Sequence, residues 1–136
     1  MTRPSAEYFN RLGAGHLPAL MGVEIVSVDA EALASRLTVR RELMAPNGFL
    51  HAATVIALAD TSCGYACVAH LPQGASGFTT VELKANFLGT TREGVIDCRA
   101  TAVHLGRSTH VWDAVVRAGA VRIAQFRCTQ MILWPK

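Results

Sequence analysis

The sequence of 136 residues has no run of Lys or Arg, no Cys-x-x-Cys pair, no internal repeat and no low-complexity or linker stretch. Each absence removes a class of function. Without a basic run, a formal charge of +3 is too slight for a nucleic-acid surface and suits a small polyanionic ligand better. With no close Cys pair, and with His16, His70 and His110 scattered, no spacing fits a metal site. The opening MTRPSAEYFNRL lacks the apolar stretch of a signal peptide, so Cys63, Cys67, Cys98 and Cys128 read as reduced thiols in a cytoplasmic protein. With no linker to divide it, the chain reads as one domain over residues 1–136, its first twenty residues a helical segment.

What the sequence does have is apolar content: 51% hydrophobic against 17% charged residues, enough for extensive burial and for subunit contacts. Its densest stretch lies between Leu50 and Val68, a run long enough to suggest a membrane span. Asp60 stands at its centre, at a cost of about 2.5–3.5 kcal/mol for membrane insertion, and Thr61, Ser62 and Gly64 follow it. The run therefore reads as a helix buried in a globular core, with no membrane partner.

The flanking segments supply the walls of that core. Ser5 to Leu20 suggests a short amphipathic helix, interrupted by Gly13 and Gly15 and closed near Pro18. GVEIVSVDAEALASRLTVRREL reads as a hairpin turning around Asp29–Ala32, with Ser35, Leu37 and Val39 opposing Arg36, Thr38 and Arg40. After the long helix, TTVELKANFL places Val81, Leu83, Ala85 and Phe87 on one face and Thr80, Glu82, Lys84 and Asn86 on the other. VIDCRATAVHL alternates likewise, and two further strands meet at Ala118-Gly119-Ala120. Long strands with one apolar face need a partner, and the apolar helix is the only adequate one. A helix apolar nearly all round must be wrapped by a sheet or by another subunit. The pattern is an α+β hotdog fold, an antiparallel sheet wrapped around a long central helix.

Two features of that helix carry chemistry. An ionised carboxylate in apolar surroundings is costly unless paired, and Ala57, Leu58, Ala59, Cys63 and Gly64 offer Asp60 no partner. Either Asp60 reaches solvent or it is a functional acid, and the functional reading is favoured. At the helix start, NGFLHAA places a turn at Asn47-Gly48 and then His51, Ala52 and Ala53. The first N–H groups of a helix lack internal partners and can hold a developing oxyanion; a lone histidine there reads first as a cap. His51 and Asp60 are nine residues apart, half a turn out of phase and about 13 Å apart along the axis. One chain cannot bring both to one substrate, whereas two antiparallel helices in a dimer can.

NGFLHAATVIALADTSCGYAC resembles the G-x-L-H-G-G-x(7)-[DE] helix of the 4-hydroxybenzoyl-CoA thioesterase superfamily, in its phenylacetate-pathway (PaaI-like) branch. TTVELKANFLG is similar to the strand that follows it there, and VHLGRSTHVWDAVV to the family's H-x-G-R turn. The resemblance implies a hotdog acyl-CoA thioesterase, a homodimer or dimer of dimers, needing no cofactor because CoA is part of the substrate. By position it implies Asp60 as nucleophile or general base and the Ala52 N–H as the group polarising the thioester carbonyl. His51 would orient that loop or contact the thioester, and Thr80 would position water. His104, Gly106, Arg107 and Ser108 would border the CoA phosphates. The chain departs from the family pattern at four places: both motif glycines are Ala52 and Ala53, an Asn or Gln six residues before the histidine is Ala45, an Arg-Pro after the strand is Gly89-Thr90, and a Ser/Thr one turn past the acid is Gly64. Asn47 could replace the missing side-chain donor or could serve its turn alone. The rival reading from another class is a non-catalytic hotdog that binds acyl-CoA as a sensor, for which Asp60 would be unnecessary.

Overall fold

In the computed structural model, which describes residues 2–136, two short helices and a hairpin precede one long helix and four long strands. Helix α1 (Ala6–Gly13) is capped by the Ser5 hydroxyl, which accepts from the Tyr8 N–H. Helix α2 (Leu17–Met21) is separate from it. Pro18 does not close a helix, as the sequence suggests, but lies in the first turn of α2, where no intrahelical hydrogen bond is lost. Phe9 of α1 is fully buried and stacks on Tyr65 of the long helix, ring centroids 4.7 Å apart. The N-terminal segment thus covers one side of that helix.

Strands β1 (Glu24–Val28) and β2 (Ala32–Thr38) form the expected hairpin, its turn closed by Asp29 Oδ1 accepting from the Glu31 and Ala32 N–H groups. Helix α3 (Ala52–Ala69) is followed by β3 (Gly77–Phe87), β4 (Val95–Leu105), β5 (Thr109–Ala118) and β6 (Val121–Leu133). These strands make one antiparallel sheet in the order β1-β2-β4-β5-β6-β3, with Gly119 at φ 60° turning β5 into β6. Leu58, Ala59, Cys63 and Cys67 of α3 are fully buried against Leu33, Leu37, Ile96, Trp112 and Phe126 of the sheet. Each large side chain buried this way contributes about 1.5–3 kcal/mol. Packing rather than intrinsic propensity therefore holds a helix that carries Thr61, Ser62 and Gly64 in its middle. Although α3 has the length and hydropathy of a membrane span, it is the core helix of a hotdog fold. Burial pushes the thiols of Cys67 and Cys98 up to about 12 and about 11, so both remain protonated packing groups.

One strand departs from its alternation in a way that matters for function. The register of β3 against β6 shifts between Thr80 and Glu82, a bulge that leaves Val81 as the extra residue. Directly paired residues share a face, and Thr80 pairs with the fully buried Gln130, while Leu83 pairs with buried Cys128. Thr80 therefore lies on the helix-facing side with Leu83, Ala85 and Phe87, not with Glu82 and Lys84 as strict alternation places it. Strand β3 also ends the sheet, and Val81, Leu83 and Phe87 are 51%, 40% and 45% exposed, an apolar edge that nothing among the described residues covers.

Candidate active site

Asp60 is half-buried in the middle of α3, and its Oδ1 is sealed from solvent without a hydrogen-bond partner among the described residues. Burial alone raises its carboxyl above the ordinary 3.8. One turn further along the same face, Gly64 leaves room that the ring of Phe78 occupies: a Cβ added at Gly64 would lie 3.1 Å from Phe78 Cζ. Phe78 and Thr80 lie on the same face of β3. The bulge thus puts Thr80 on the same face of β3 as Phe78, although Thr80 itself stays exposed.

The other end of the helix is built differently. His51 is the N-cap of α3, its Nδ1 accepting from the Ala53 N–H at 2.9 Å. That bond fixes the tautomer: the ring proton sits on Nε2, as a free donor. The Thr54 and Val55 N–H groups bond to the His51 carbonyl, and the Ala52 N–H is left without a partner among the described residues. The approach to this end is a tight reverse turn in which Ala45 N–H donates to the Phe49 carbonyl and Asn47 Oδ1 accepts from the Phe49 N–H. Asn47 therefore has the turn role, with its amide NH2 free of it. Thr90 supports the same loop, because its Oγ1 accepts from the Leu50 N–H at 3.1 Å.

The third group lies in the β4–β5 turn. A bulge between Ala102 and His104 re-aims His104 toward that turn, and a Cβ at Gly106 would stand 2.6 Å from His104 Nε2 and 3.0 Å from the Thr109 carbonyl oxygen. A larger residue there would have to displace the His104 ring and press on the Thr109 carbonyl. The Ser108 carbonyl accepts from the Ile132 N–H, and the Arg107 carbonyl accepts from the Trp134 indole N–H at 3.1 Å. The Arg107 guanidinium lies 4.1 Å above the Trp134 ring. Trp134 stands just past the last strand, half-buried against the core, and its indole also holds the turn, whereas Trp112 is fully buried in the sheet. Trp134 and Arg107 are far apart in sequence, and no local pattern links them. Phe78 likewise reaches α3, one turn past Asp60, through the absent side chain of Gly64, which no local pattern shows.

One chain therefore sets Thr80 on the face of β3 whose Phe78 meets α3 one turn past Asp60, keeps His51, Ala52 and Asn47 at the far end of α3, and places His104, Gly106, Arg107 and Ser108 in a separate turn. Among the described residues no group of His, Cys, Asp and Glu is gathered as a metal site. A carboxylate, a backbone donor and a cation are the parts of a hydrolytic site for an activated acyl group carried on an anionic leaving group.

Comparison with known proteins agrees with that chemistry. A family model described as Thioesterase superfamily matches residues 47–124. A 1,4-dihydroxy-2-naphthoyl-CoA hydrolase of Listeria monocytogenes is 30% identical, the match covering 71% of this chain and 78% of that protein. The acyl-coenzyme A thioesterase PaaI of Escherichia coli is 29% identical over 79% of this chain and 75% of its own length. The crystal structure of a mutant of the thioesterase PA1618 from Pseudomonas aeruginosa superposes with a TM-score of 0.92 at 27% identity, covering 97% of this chain and 96% of that one. With its hotdog fold, its PaaI-like relatives and its match over the segment holding Asp60, the chain belongs to the thioesterase superfamily and is a thioester hydrolase.

Proposed function

We propose that the protein hydrolyses acyl-CoA thioesters with small aromatic or short- to medium-chain acyl groups, at two sites shared across a homodimer that can itself pair into a tetramer. The observation that carries this reading is the layout of α3. A half-buried carboxylate with an unpartnered oxygen sits at its middle, and an unpartnered N–H is exposed at its start, too far along one helix to act together. Strand β3 ends the sheet with an uncovered apolar edge beside Phe78 and Gly64, so a second copy joining there would lay its own α3 start against this Asp60.

In that arrangement the Ala52 N–H of one subunit polarises the thioester carbonyl, assisted by His51 Nε2–H, and Asp60 of the other acts as nucleophile or as general base on a water that Thr80 orients. CoA leaves as the thiolate and takes up a proton; where Asp60 itself attacks, water then hydrolyses the acyl-aspartyl anhydride to release the free acid and restore the carboxylate. The carboxylate needs no metal or organic cofactor, because a thioester is already activated. The β4–β5 turn, with Arg107, meets the phosphates of the CoA portion.

The test is thiol release from phenylacetyl-, benzoyl-, hexanoyl- and acetyl-CoA, followed by subunit mixing. Ala52→Pro removes the one donor N–H at a position where proline is tolerated, and His51 at φ −67°, ψ 134° already has the backbone that precedes proline. Its homodimer should lose about two to three orders of magnitude in kcat, and that of Asp60→Asn about two to four. Co-refolded at equal amounts, half the dimers carry one intact site, so about a quarter of wild-type activity should return. No recovery on mixing refutes the shared site. A wild type that binds CoA esters but turns none over would favour the sensor reading.

A further inference from the structure

Arg107 has no ion-pair partner among the described residues, yet it is not free. Its guanidinium carbon lies over the Trp134 ring, 4.1 Å from the centroid, and its own backbone is tied to the same indole by the 3.1 Å bond from Trp134 Nε1–H to the Arg107 carbonyl. Two contacts of different kinds, one to the side chain and one to the main chain, thus join a single pair of residues 27 apart in sequence. The adjacent Ser108 carbonyl accepts from the Ile132 N–H, so the turn is anchored by the chain that leads into Trp134. Gly74 lies against the far edge of the ring, where a Cβ would stand 3.5 Å from Trp134 Cζ3, and it backs the indole in place.

This geometry has a chemical consequence. A guanidinium offers its hydrogen-bond donors along its edges and its π surface on its faces. Stacking on an indole uses one face and leaves the in-plane donors free to form the forked pair that a phosphate accepts. An unstacked arginine on an exposed turn would have to give up its rotamer freedom on binding, which weakens affinity for the anion. Trp134 is half-buried against the edge of the core, but core packing does not account for the other partner, because Arg107 and the hydrogen bond are exposed.

We propose that Trp134 is a positioning residue for the phosphates of the CoA leaving group: it holds Arg107 and the Gly106–Ser108 turn in the orientation that binds them. The inference rests on the assignment of that turn to the CoA phosphates. It predicts that Trp134 acts on the nucleotide end of the substrate and has no part in the chemistry at Asp60.

The test compares Trp134→Leu, Trp134→Phe, Arg107→Ala and the double variant Arg107→Ala/Trp134→Leu on two substrates with the same acyl group. One is the CoA ester and the other the N-acetylcysteamine ester, which lacks phosphates. Direct binding of CoA by calorimetry gives a readout independent of turnover. Arg107→Ala should raise KM for the CoA ester, and Kd for CoA, about tenfold with kcat little changed. Trp134→Leu should raise both about three- to tenfold and leave the truncated ester unaffected, with Trp134→Phe in between. The double variant should be no worse than Arg107→Ala alone.

If Arg107→Ala weakens CoA and Trp134→Leu does not, the positioning role is wrong while the turn assignment stands. If neither variant affects CoA, the turn assignment is wrong and the inference falls with it. Equal loss by Trp134→Leu on both substrates, or a fall in kcat, would make Trp134 merely structural and would also overturn the proposal.

Discussion

Replacing Asp60 by Asn should make the protein more stable while removing its activity. The Asp60 Oδ1 is buried and unpartnered, and an unsatisfied buried acceptor costs about 1–3 kcal/mol, more when charged. The rest of the residue reaches solvent, so the low end applies: about 1 kcal/mol is recovered when a neutral amide replaces the carboxylate. For a chain of this size that is a rise in Tm of about 3 °C. The sign depends on pH. Burial raises the folded-state pKa of Asp60 above 3.8, so the native state holds the proton more tightly than the unfolded chain. The contribution of this group to stability is full below pH 3.8 and is lost as pH rises through the raised folded value. The advantage of Asp60→Asn should therefore be present at about pH 8 and vanish toward about pH 4. Thermal melts of both proteins at matched concentration, at the two pH values, measure it. A variant that melts at or below the wild type at the higher pH would refute the claim that the carboxylate is held in the helix at a cost in stability.

Three further outcomes are expected. The acid limb of kcat/KM should have its midpoint above pH 3.8, since only ionised Asp60 can act; a midpoint at or below that value in a pH–rate profile contradicts the burial argument. Gly106→Ala should displace the His104 ring and strain the turn against the Thr109 carbonyl, destabilising by about 1–2 kcal/mol in denaturant melts and raising KM for CoA esters; an unchanged melt and KM would mean that the close approach is not needed. Leu83→Glu places a charge on the uncovered edge strand and should yield an inactive monomer by light scattering and thiol-release assay. An active dimer would show that subunits do not join through β3.

The central helix, the hairpins and the hotdog class are legible in the sequence because each rests on local periodicity. A run from Leu50 to Val68 that is apolar on nearly every side can only be a core helix among strands that each have one apolar face. Asp60 is legible for the same reason, as a charge where the pattern has no place for one, and so is the cap at His51. The relations between elements are not legible locally. Alternation puts Thr80 outward, and only pairing with β6 across a bulge at Val81 turns it inward, because a single extra residue reverses every later side chain. Pro18 opens α2 instead of ending a longer helix because its missing N–H is harmless only in a first turn, and where that turn begins depends on how Phe9 docks on Tyr65. The pairing of Arg107 with Trp134 joins a turn to the C-terminal segment, and that of Gly64 with Phe78 joins the core helix to a strand, and these segments carry no mark of each other in the chain. Local sequence determined which groups exist and what chemistry they can do. Tertiary structure decided which of them face one another, because facing depends on sheet register and on contacts across long loops, and neither has a period that a sequence can display.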